Sequence, residues 1–351
     1  MATPAEGLAT MHPAYFALVM ATGIVGIACH LLGLGPLGKA LFALNIAFYA
    51  AVWALTIARI VRHRARVIAD LLHHGRSVGF FTTVAATCVL GSQCWLVGGV
   101  FSVALALWFA GIALWALLTY AIFTIIVVKA DKPALAEGIN GAWLVSVVAA
   151  QSVCVLGAQL ASDLDGFTSE VLFFCLAMWL GAGMLYIWII SLIFYRYAFF
   201  PMSPSDLAPP YWINMGAAAI STLAGALLVA ASAHSPVLAQ VVPFVRGLSL
   251  MWWATATWWI PMLVILGIWR HVYRKFPLKY DPLYWGAVFP LGMYTVCTER
   301  MSRAVDAPFL AAISGVFVYV ALAAWLVTAF GMTWHLVRRR WPSRDGIAQP
   351  R

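Results

Sequence analysis

Small hydroxyl-bearing side chains and glycines recur at intervals in an otherwise apolar chain of 351 residues. These residues are Thr22, Gly23, Thr82, Thr83, Ser146, Gly216, Ser221 and Gly286. Hydroxyl groups, and the backbone left accessible at glycine, can replace part of the hydration shell of an ion. The same residue types also allow helices to pack closely in a membrane and to hydrogen-bond across their interface. Both interpretations place these residues inside a helical bundle.

An aromatic residue followed by proline, Phe289-Pro290, interrupts the ninth apolar segment of the chain. Pro290 cannot donate a backbone hydrogen bond to Gly286, so it kinks the helix at this point. On a helix that lines a lumen, such a kink would hold the phenyl ring across the path. The alternative is that Phe289 only fills space between helices, and the pattern alone leaves both roles open.

Three arginines, Arg246, Arg300 and Arg303, fall near the ends of apolar segments, away from the other cationic clusters. Their field would attract anions to the mouth of a pore. Alternatively, they pair with Glu299 and Asp306 at a wet surface. Either role puts these cations at the membrane boundary.

The remaining titratable residues do not form a recognisable catalytic or metal-binding pattern. All six cysteines lie inside apolar segments without a CxxC pair, and neither an H-E-x-x-H motif nor a glycine-rich phosphate loop is present. We therefore expect no enzymatic activity, no metal and no cofactor. The alternative from another class is a membrane-embedded redox enzyme or sensor, which bound haem, flavin or quinone would reveal.

The elements that position these residues follow from composition, because 64% of the residues are hydrophobic and only 9% are charged. A soluble domain carries roughly 25% charged residues. Apolar runs of about 20 residues predict an all-α integral membrane protein with ten transmembrane helices. The predicted spans lie near 12–34, 37–60, 78–98, 101–128, 138–160, 167–195, 211–232, 243–270, 282–303 and 308–337. They form a single transmembrane domain, 12–337, between a short N-terminus, 1–11, and a basic tail, 338–351.

The distribution of Lys and Arg predicts the orientation. Of these 21 residues, 17 lie after even-numbered spans or in the tail, and the other four are Lys39 and the three arginines named above. Because cationic loops stay on the cytoplasmic side, both termini should be cytoplasmic in a multi-pass protein of the cell (inner) membrane. The net charge of +9 then reflects contact with anionic membrane lipid rather than nucleic acid.

A repeat appears at the starts of the odd-numbered spans, which open with aromatic residues. The first aromatic residue in each group is, in order, Tyr15, Phe80, Trp143, Tyr211 and Tyr284, at intervals of 65, 63, 68 and 73 residues. One helical hairpin therefore recurs five times, and each copy enters the membrane from the same side. Twelve of the seventeen tryptophans lie on even spans, which we expect to face lipid around an inner ring of odd helices.

Three segments resemble the tellurite-resistance and C4-dicarboxylate transporter family, which includes malate and sulfite transporters and the slow anion channels of plants. They are FALVMATGI at 16–24, PYWINMGA at 210–217 and YWGAVFP at 284–290. The resemblance extends over essentially all of residues 12–337, with the spacing preserved. It implies five hairpins with quasi-fivefold symmetry around a central pore, a homotrimer, and a phenylalanine on the ninth helix, here Phe289, that blocks the pore.

The resemblance also implies a substrate class, because members of this family move malate and other dicarboxylates, sulfite, chloride or nitrate. We therefore expect transport of a small anion through a pore gated by Phe289. The alternative within transport is a proton-coupled C4-dicarboxylate carrier. The sequence offers it little support, since no carboxylate falls in the middle of an odd span.

Overall fold

The computed structural model describes residues 4–164 and 166–340, and in this part of the chain all regular structure is helical. The predicted tail lies mostly beyond Arg340, outside the described residues, as do residues 1–3. Ten long helices form the body of the protein, and we number them in chain order. They are α1 (Ala17–Leu31), α2 (Gly35–Arg62), α3 (Thr82–Leu96), α4 (Phe101–Val128), α5 (Val145–Leu160), α6 (Thr168–Phe199), α7 (Ile213–Ala231), α8 (Pro236–Ile268), α9 (Trp285–Ala304) and α10 (Leu310–Arg340).

Nine of the helices in the described ranges are long and apolar enough to cross a membrane, and α9 is the long helix that does not qualify. It carries Glu299, Arg300 and Arg303 in its last two turns. Helix α9 packs against α1, α7 and α10 and is mostly buried by them. Because the protein itself surrounds α9, its side chains need not be as apolar as those that face lipid. The ten predicted helices are therefore all present.

Each odd helix begins with a short 3₁₀ turn that contains the repeated aromatic residues. The five turns are Pro13–Phe16, Val78–Phe81, Gly141–Leu144, Pro209–Trp212 and Pro282–Tyr284. Proline is favoured at such starts because its missing N–H would have no helical partner there. We call the end of the bundle that holds these turns the proximal end, and the opposite end the distal end.

The odd helices form a closed ring. Along the chain α1, α3, α5, α7 and α9 each pack against the next, and α9 packs against α1; the five 3₁₀ turns repeat this order. In the four odd helices that qualify as membrane spans, 78 to 94% of the apolar window is buried, against 11 to 44% in the even helices. The predicted two rings with fivefold quasi-symmetry are confirmed.

A circular set of hydrogen bonds joins the two rings. An aromatic side chain on every even helix bonds to the odd helix of the following hairpin, and the fifth hairpin bonds to the first. The pairs are Tyr49 OH with Thr87 Oγ1 (2.9 Å), Trp108 Nε1 with the Val153 carbonyl (3.0 Å), Trp179 Nε1 with the Ser221 carbonyl (2.8 Å), Trp253 Nε1 with Thr298 Oγ1 (3.1 Å) and Trp325 Nε1 with Thr22 Oγ1 (3.0 Å). A buried indole N–H needs an acceptor, so these bonds orient the even helices on the ring.

The even helices face lipid as expected, but some of their tryptophans point inward. Trp108 and Trp179 are buried and bond to the inner ring, whereas Trp258 is 55% exposed. An indole combines a large apolar surface with one donor, so it can fill the space between the rings while its N–H bonds to the inner helix. The tryptophan-rich even helices therefore use their aromatic residues on both faces.

A carboxylate between two arginines ties the α2–α3 connection together at the proximal end. Asp70 lies in the short helix Arg64–Leu71 and accepts hydrogen bonds from Arg59 at 2.6 Å and from Arg76 at 2.5 Å. Arg59 also donates to the Ala9 carbonyl at 3.2 Å. Burial acts to raise the pKa of Asp70, but the bonds and charges of the two arginines outweigh it and lower the pKa below its ordinary value of 3.8.

We expect Asp70→Asn to destabilise the protein at neutral pH by about 1 to 3 kcal/mol, since hydrogen bonds to a charged group are lost. Because the pKa of Asp70 is lower in the folded than in the unfolded protein, ionised Asp70 stabilises the fold at every pH above the unfolded-state pKa. This contribution is lost as the pH falls through the folded-state pKa. Thermal unfolding in detergent at pH 7 and pH 3 should therefore show a gap between wild type and variant that narrows in acid. Asp131→Asn, in an exposed loop, is the control; a gap independent of pH would contradict the ion-pair origin.

Candidate functional site: a central path through the inner ring

A cavity of about 420 Å³ opens at the proximal end on the axis of the ring. All five odd helices or their 3₁₀ turns contribute to its wall. The first residue of four of these helices, and the second residue of α9, line the cavity: Ala17, Thr82, Val145, Ile213 and Gly286. The cavity is therefore a vestibule that belongs to the whole ring rather than to one hairpin.

A second, much smaller cavity of about 20 Å³ lies further along the same helices. Its wall again contains a residue from each odd helix: Ile24, Val89, Ser152, Ile220 and Met293. Each of these residues follows its counterpart in the proximal cavity by seven positions, or two helical turns. Since seven residues return a helix to the same face, the two cavities share one axis.

Between the cavities lies a layer about two turns, or roughly 10 Å, thick, which we call the middle layer. On the shared face it is formed by the residues three and four positions after the proximal lining. These pairs are Met20-Ala21, Ala85-Ala86, Val148-Ala149, Gly216-Ala217 and Phe289-Pro290. Phe289 is the one aromatic side chain among them and is only 1% exposed. The middle layer is therefore closed, and the phenyl group of Phe289 lies among small and aliphatic side chains.

Proline and glycine fix the position of this phenylalanine. A Cβ atom on Gly216 would lie 2.7 Å from Pro290 Cγ, so glycine at this position lets α7 approach α9 closely beside Phe289. Pro290 also leaves the Gly286 carbonyl without its usual helical donor, and Gly286 lines the proximal cavity. The close approach of α7 to Pro290 therefore fixes the backbone next to Phe289, three residues beyond the wall of the vestibule.

One buried cation, Arg196, stands at the wall of the proximal cavity. It lies in the last turn of α6 and is 7% exposed; its Nε donates to the Ala136 carbonyl at 2.6 Å, and its guanidinium also donates to the Tyr211 hydroxyl. Among the described residues it has no ion pair with a carboxylate. Its charge interacts with that of Asp206 in the same wall without forming an ion pair, so the guanidinium can still attract an anion from the vestibule.

Two carboxylates, Glu137 and Asp206, also line the proximal cavity, but both are more solvated than Arg196. Asp206 accepts a hydrogen bond from the Ser203 backbone N–H at 2.8 Å, and this bond lowers its pKa, so it is ionised at neutral pH. Charges in water are screened more strongly than buried charges. The buried arginine is therefore screened less by water than the two carboxylates in the same wall.

The three predicted mouth cations lie in different environments at the distal end. Arg300 lines the distal cavity together with Gln159. Arg303 is paired with Glu299 at 2.7 Å, with 67% of its side chain exposed. Arg246 is exposed on α8 and does not line either central cavity. The axis thus has one arginine near each end, Arg196 and Arg300.

Of the eight predicted lining residues, the structure places only Thr82 and Gly286 at the wall of a central cavity. The other six do not line a central cavity, and their polar groups are already bonded or their small size is needed. Thr22 accepts from Trp325, Gly23 faces Val89 and Gly216 faces Pro290, all across helix contacts. The hydroxyls of Thr83, Ser146 and Ser221 donate to backbone carbonyls three or four residues earlier, those of Phe80, Trp143 and Ala217. For these six residues the geometry agrees with the packing interpretation.

Sequence reasoning missed Arg196 and the alanines of the middle layer. Arg196 was counted with the loop cations, although it follows an apolar run and precedes Tyr211 by fifteen residues. The seven-residue spacing between lining positions was the available signal for the alanines. It becomes visible only when the five helix starts are aligned on their 3₁₀ turns.

Comparison with known proteins places this arrangement among transport proteins. The family described as SLAC1, voltage-dependent anion channel, matches residues 10–333. A membrane protein of Mycobacterium tuberculosis, itself uncharacterized, is 42% identical over 152 residues, which is 43% of this chain and 77% of the relative.

Two further relatives align over almost the whole chain. An uncharacterized transporter of Methanocaldococcus jannaschii is 26% identical over 90% of this chain and 91% of its own length. The sulfite efflux pump SSU1 of Trichophyton rubrum is 24% identical over 93% of this chain and 90% of its own length. The similarity therefore covers the complete ring of five hairpins.

Proposed function

We propose that this chain, which belongs to the voltage-dependent anion channel family SLAC1, conducts small anions along the axis of its inner ring, with Phe289 as the gate. It is a multi-pass helical membrane protein of an anion-transport family. The observation that supports the path is the pair of coaxial cavities lined by all five odd helices. The gate is supported by the position of Phe289 in the closed layer between them.

The charge distribution along this axis suits an anion that binds weakly and leaves quickly. Arg196 and Arg300 flank the middle layer, which contains no charged residue on the shared face. Neutral surroundings at the narrowest point favour fast release, whereas cations at the mouths raise the local anion concentration. With the proximal end cytoplasmic, as the excess of Lys and Arg there favours, Arg196 meets anions from inside the cell.

We propose that small inorganic anions such as sulfite, nitrate and chloride pass through the protein more readily than dicarboxylates such as malate. A dicarboxylate is best held by two cationic groups, and Arg196 is the one buried cation at the proximal cavity. A relative named as a sulfite efflux pump adds support for an inorganic oxyanion.

A flux assay with the purified protein in liposomes tests this function. Chloride, nitrate and sulfite should cross faster than malate, and none should need an imposed pH gradient. The absence of flux above that of protein-free liposomes for all four anions would refute the proposal. Malate uptake that follows the pH gradient would instead favour the proton-coupled carrier. Cross-linking in the same membranes can test the expected homotrimer.

A further inference from the structure

A separate cavity of about 230 Å³ lies at the proximal end, behind the inner ring, between the 3₁₀ turn before α7, the end of α8 and the start of α9. Most of its wall is apolar. The apolar side chains come from the α6–α7 connection with its 3₁₀ turn, from α8 and from the connection to α9: Leu207, Pro209, Trp212, Leu263, Leu266 and Leu278. Leu278 at the rim is 72% exposed, and so are the nearby Val272 and Tyr273, at 70% and 75%. The cavity therefore opens next to a surface suited to lipid.

One arginine, Arg270, lies in the wall of this cavity without a side-chain hydrogen bond or ion pair to any described residue, although its charge interacts with the nearby Tyr284 hydroxyl. It belongs to the π-helical turn Trp269–Tyr273 that ends α8, a distortion that often marks functional sites. Arg270 is only 9% exposed, its Nε is buried without a hydrogen bond, and its guanidinium forms no ion pair with any described residue. Its contact is with the face of Phe276, at 4.4 Å from the ring centroid.

Burying a guanidinium raises the free energy of the folded protein, because the charge loses its hydration. A cation–π contact offsets only part of this desolvation free energy, whereas a hydrogen-bonded counter-charge offsets more of it. An anionic group within reach of Arg270 would supply both. A small anion from the cytoplasm would gain nothing from the apolar walls of the cavity. A ligand that combines an anionic head with hydrocarbon would gain from both parts.

We propose that this cavity binds one anionic phospholipid, with the phosphate on Arg270 and part of an acyl chain along the wall formed by α8 and the 3₁₀ turn before α7. The end of a membrane helix lies at the depth of the headgroups, and basic pockets between helices are suited to such lipids. Lys275 and Lys279, which follow in the same connection, raise the local concentration of anionic lipid.

The site also touches the central path. Tyr211 lines both this cavity and the proximal cavity, and Ala287, two residues before Phe289, lines this one. A bound lipid therefore braces α7 against α9 at the level of the vestibule. The binding itself does not depend on the proposed transport, so it is tested without a flux measurement.

Native mass spectrometry of protein transferred from vesicles of phosphatidylcholine with phosphatidylglycerol tests the site. Wild type should retain one phosphatidylglycerol per chain, and Arg270→Gln should lower its apparent affinity about tenfold, as expected for loss of a charged hydrogen bond. Arg274→Gln removes the same charge from an exposed position four residues away and should bind like wild type.

A second variant keeps the test valid if Arg270→Gln does not fold. A Cβ on Gly267 meets open space beside the cavity, so Gly267→Leu should fill it and displace the lipid while leaving the charge in place. Equal lipid retention in wild type, Arg270→Gln and Gly267→Leu would overturn the proposal. Displacement of the lipid by inorganic phosphate alone would also overturn it, because the site would then take a soluble oxyanion.

Discussion

Replacing Phe289 by alanine should raise anion flux through the reconstituted protein by about tenfold or more. The middle layer would then have only small and aliphatic side chains on the axis, and the apolar constriction that excludes water would widen. A tenfold increase corresponds to a barrier lower by about 1.4 kcal/mol. Chloride or sulfite efflux from liposomes, normalised to the amount of inserted protein, measures the effect.

The control removes a phenyl ring of equal size from a position away from the axis. Phe81 is fully buried in the 3₁₀ turn before α3 and packs near Phe123. Phe81→Ala should create a comparable cavity and a comparable loss of stability without increasing the flux. If Phe289→Ala remains monodisperse and folded but conducts like wild type, Phe289 is a packing residue and the gate lies elsewhere.

Replacing Arg196 by glutamine should lower anion flux several-fold at low salt, because the vestibule loses its buried cation. The field that concentrates anions there is reduced, and so is the selectivity for anions over cations. Arg196→Lys keeps the charge and should recover much of the flux. The measurement is the reversal potential and conductance in planar bilayers under a salt gradient.

Salt separates this electrostatic role from a structural one. An effect of charge should shrink as ionic strength rises, since the Debye length falls from about 10 Å at 0.1 M to about 3 Å at 1 M. Arg62→Gln removes an exposed cation from the same end of the bundle and should change the flux little. A loss in Arg196→Gln that is equal at all salt concentrations would point instead to the lost bonds with Ala136 and Tyr211.

The architecture could be predicted from sequence because each hairpin carries its own signal. Apolar length identifies the spans, and the aromatic starts reveal the repeat. Helix α9 shows the limit of this reasoning, since Glu299, Arg300 and Arg303 make it too polar for a lipid-facing helix. Its apolar run still predicts a span near 282–303, and the aromatic start at Tyr284 supports it independently of composition.

The lining of the path was harder to predict because helix orientation decides it. Thr22 and Ser221 have side chains suited to ion contact, yet each lies at a helix contact, where it bonds with Trp325 or with Gln151. Hydrophobic periodicity cannot separate the faces of a helix that is buried on all sides. The positions along the axis are mostly small or aliphatic residues, which no motif distinguishes.

The circular set of hydrogen bonds has a consequence for biosynthesis. Each of the first four hairpins bonds to its successor, so each of these four waits for a partner that the ribosome has not yet made. The last bond, from Trp325 to Thr22, spans 303 residues and joins the final helix to the first. The circle of bonds can therefore close only after the fifth hairpin has entered the membrane.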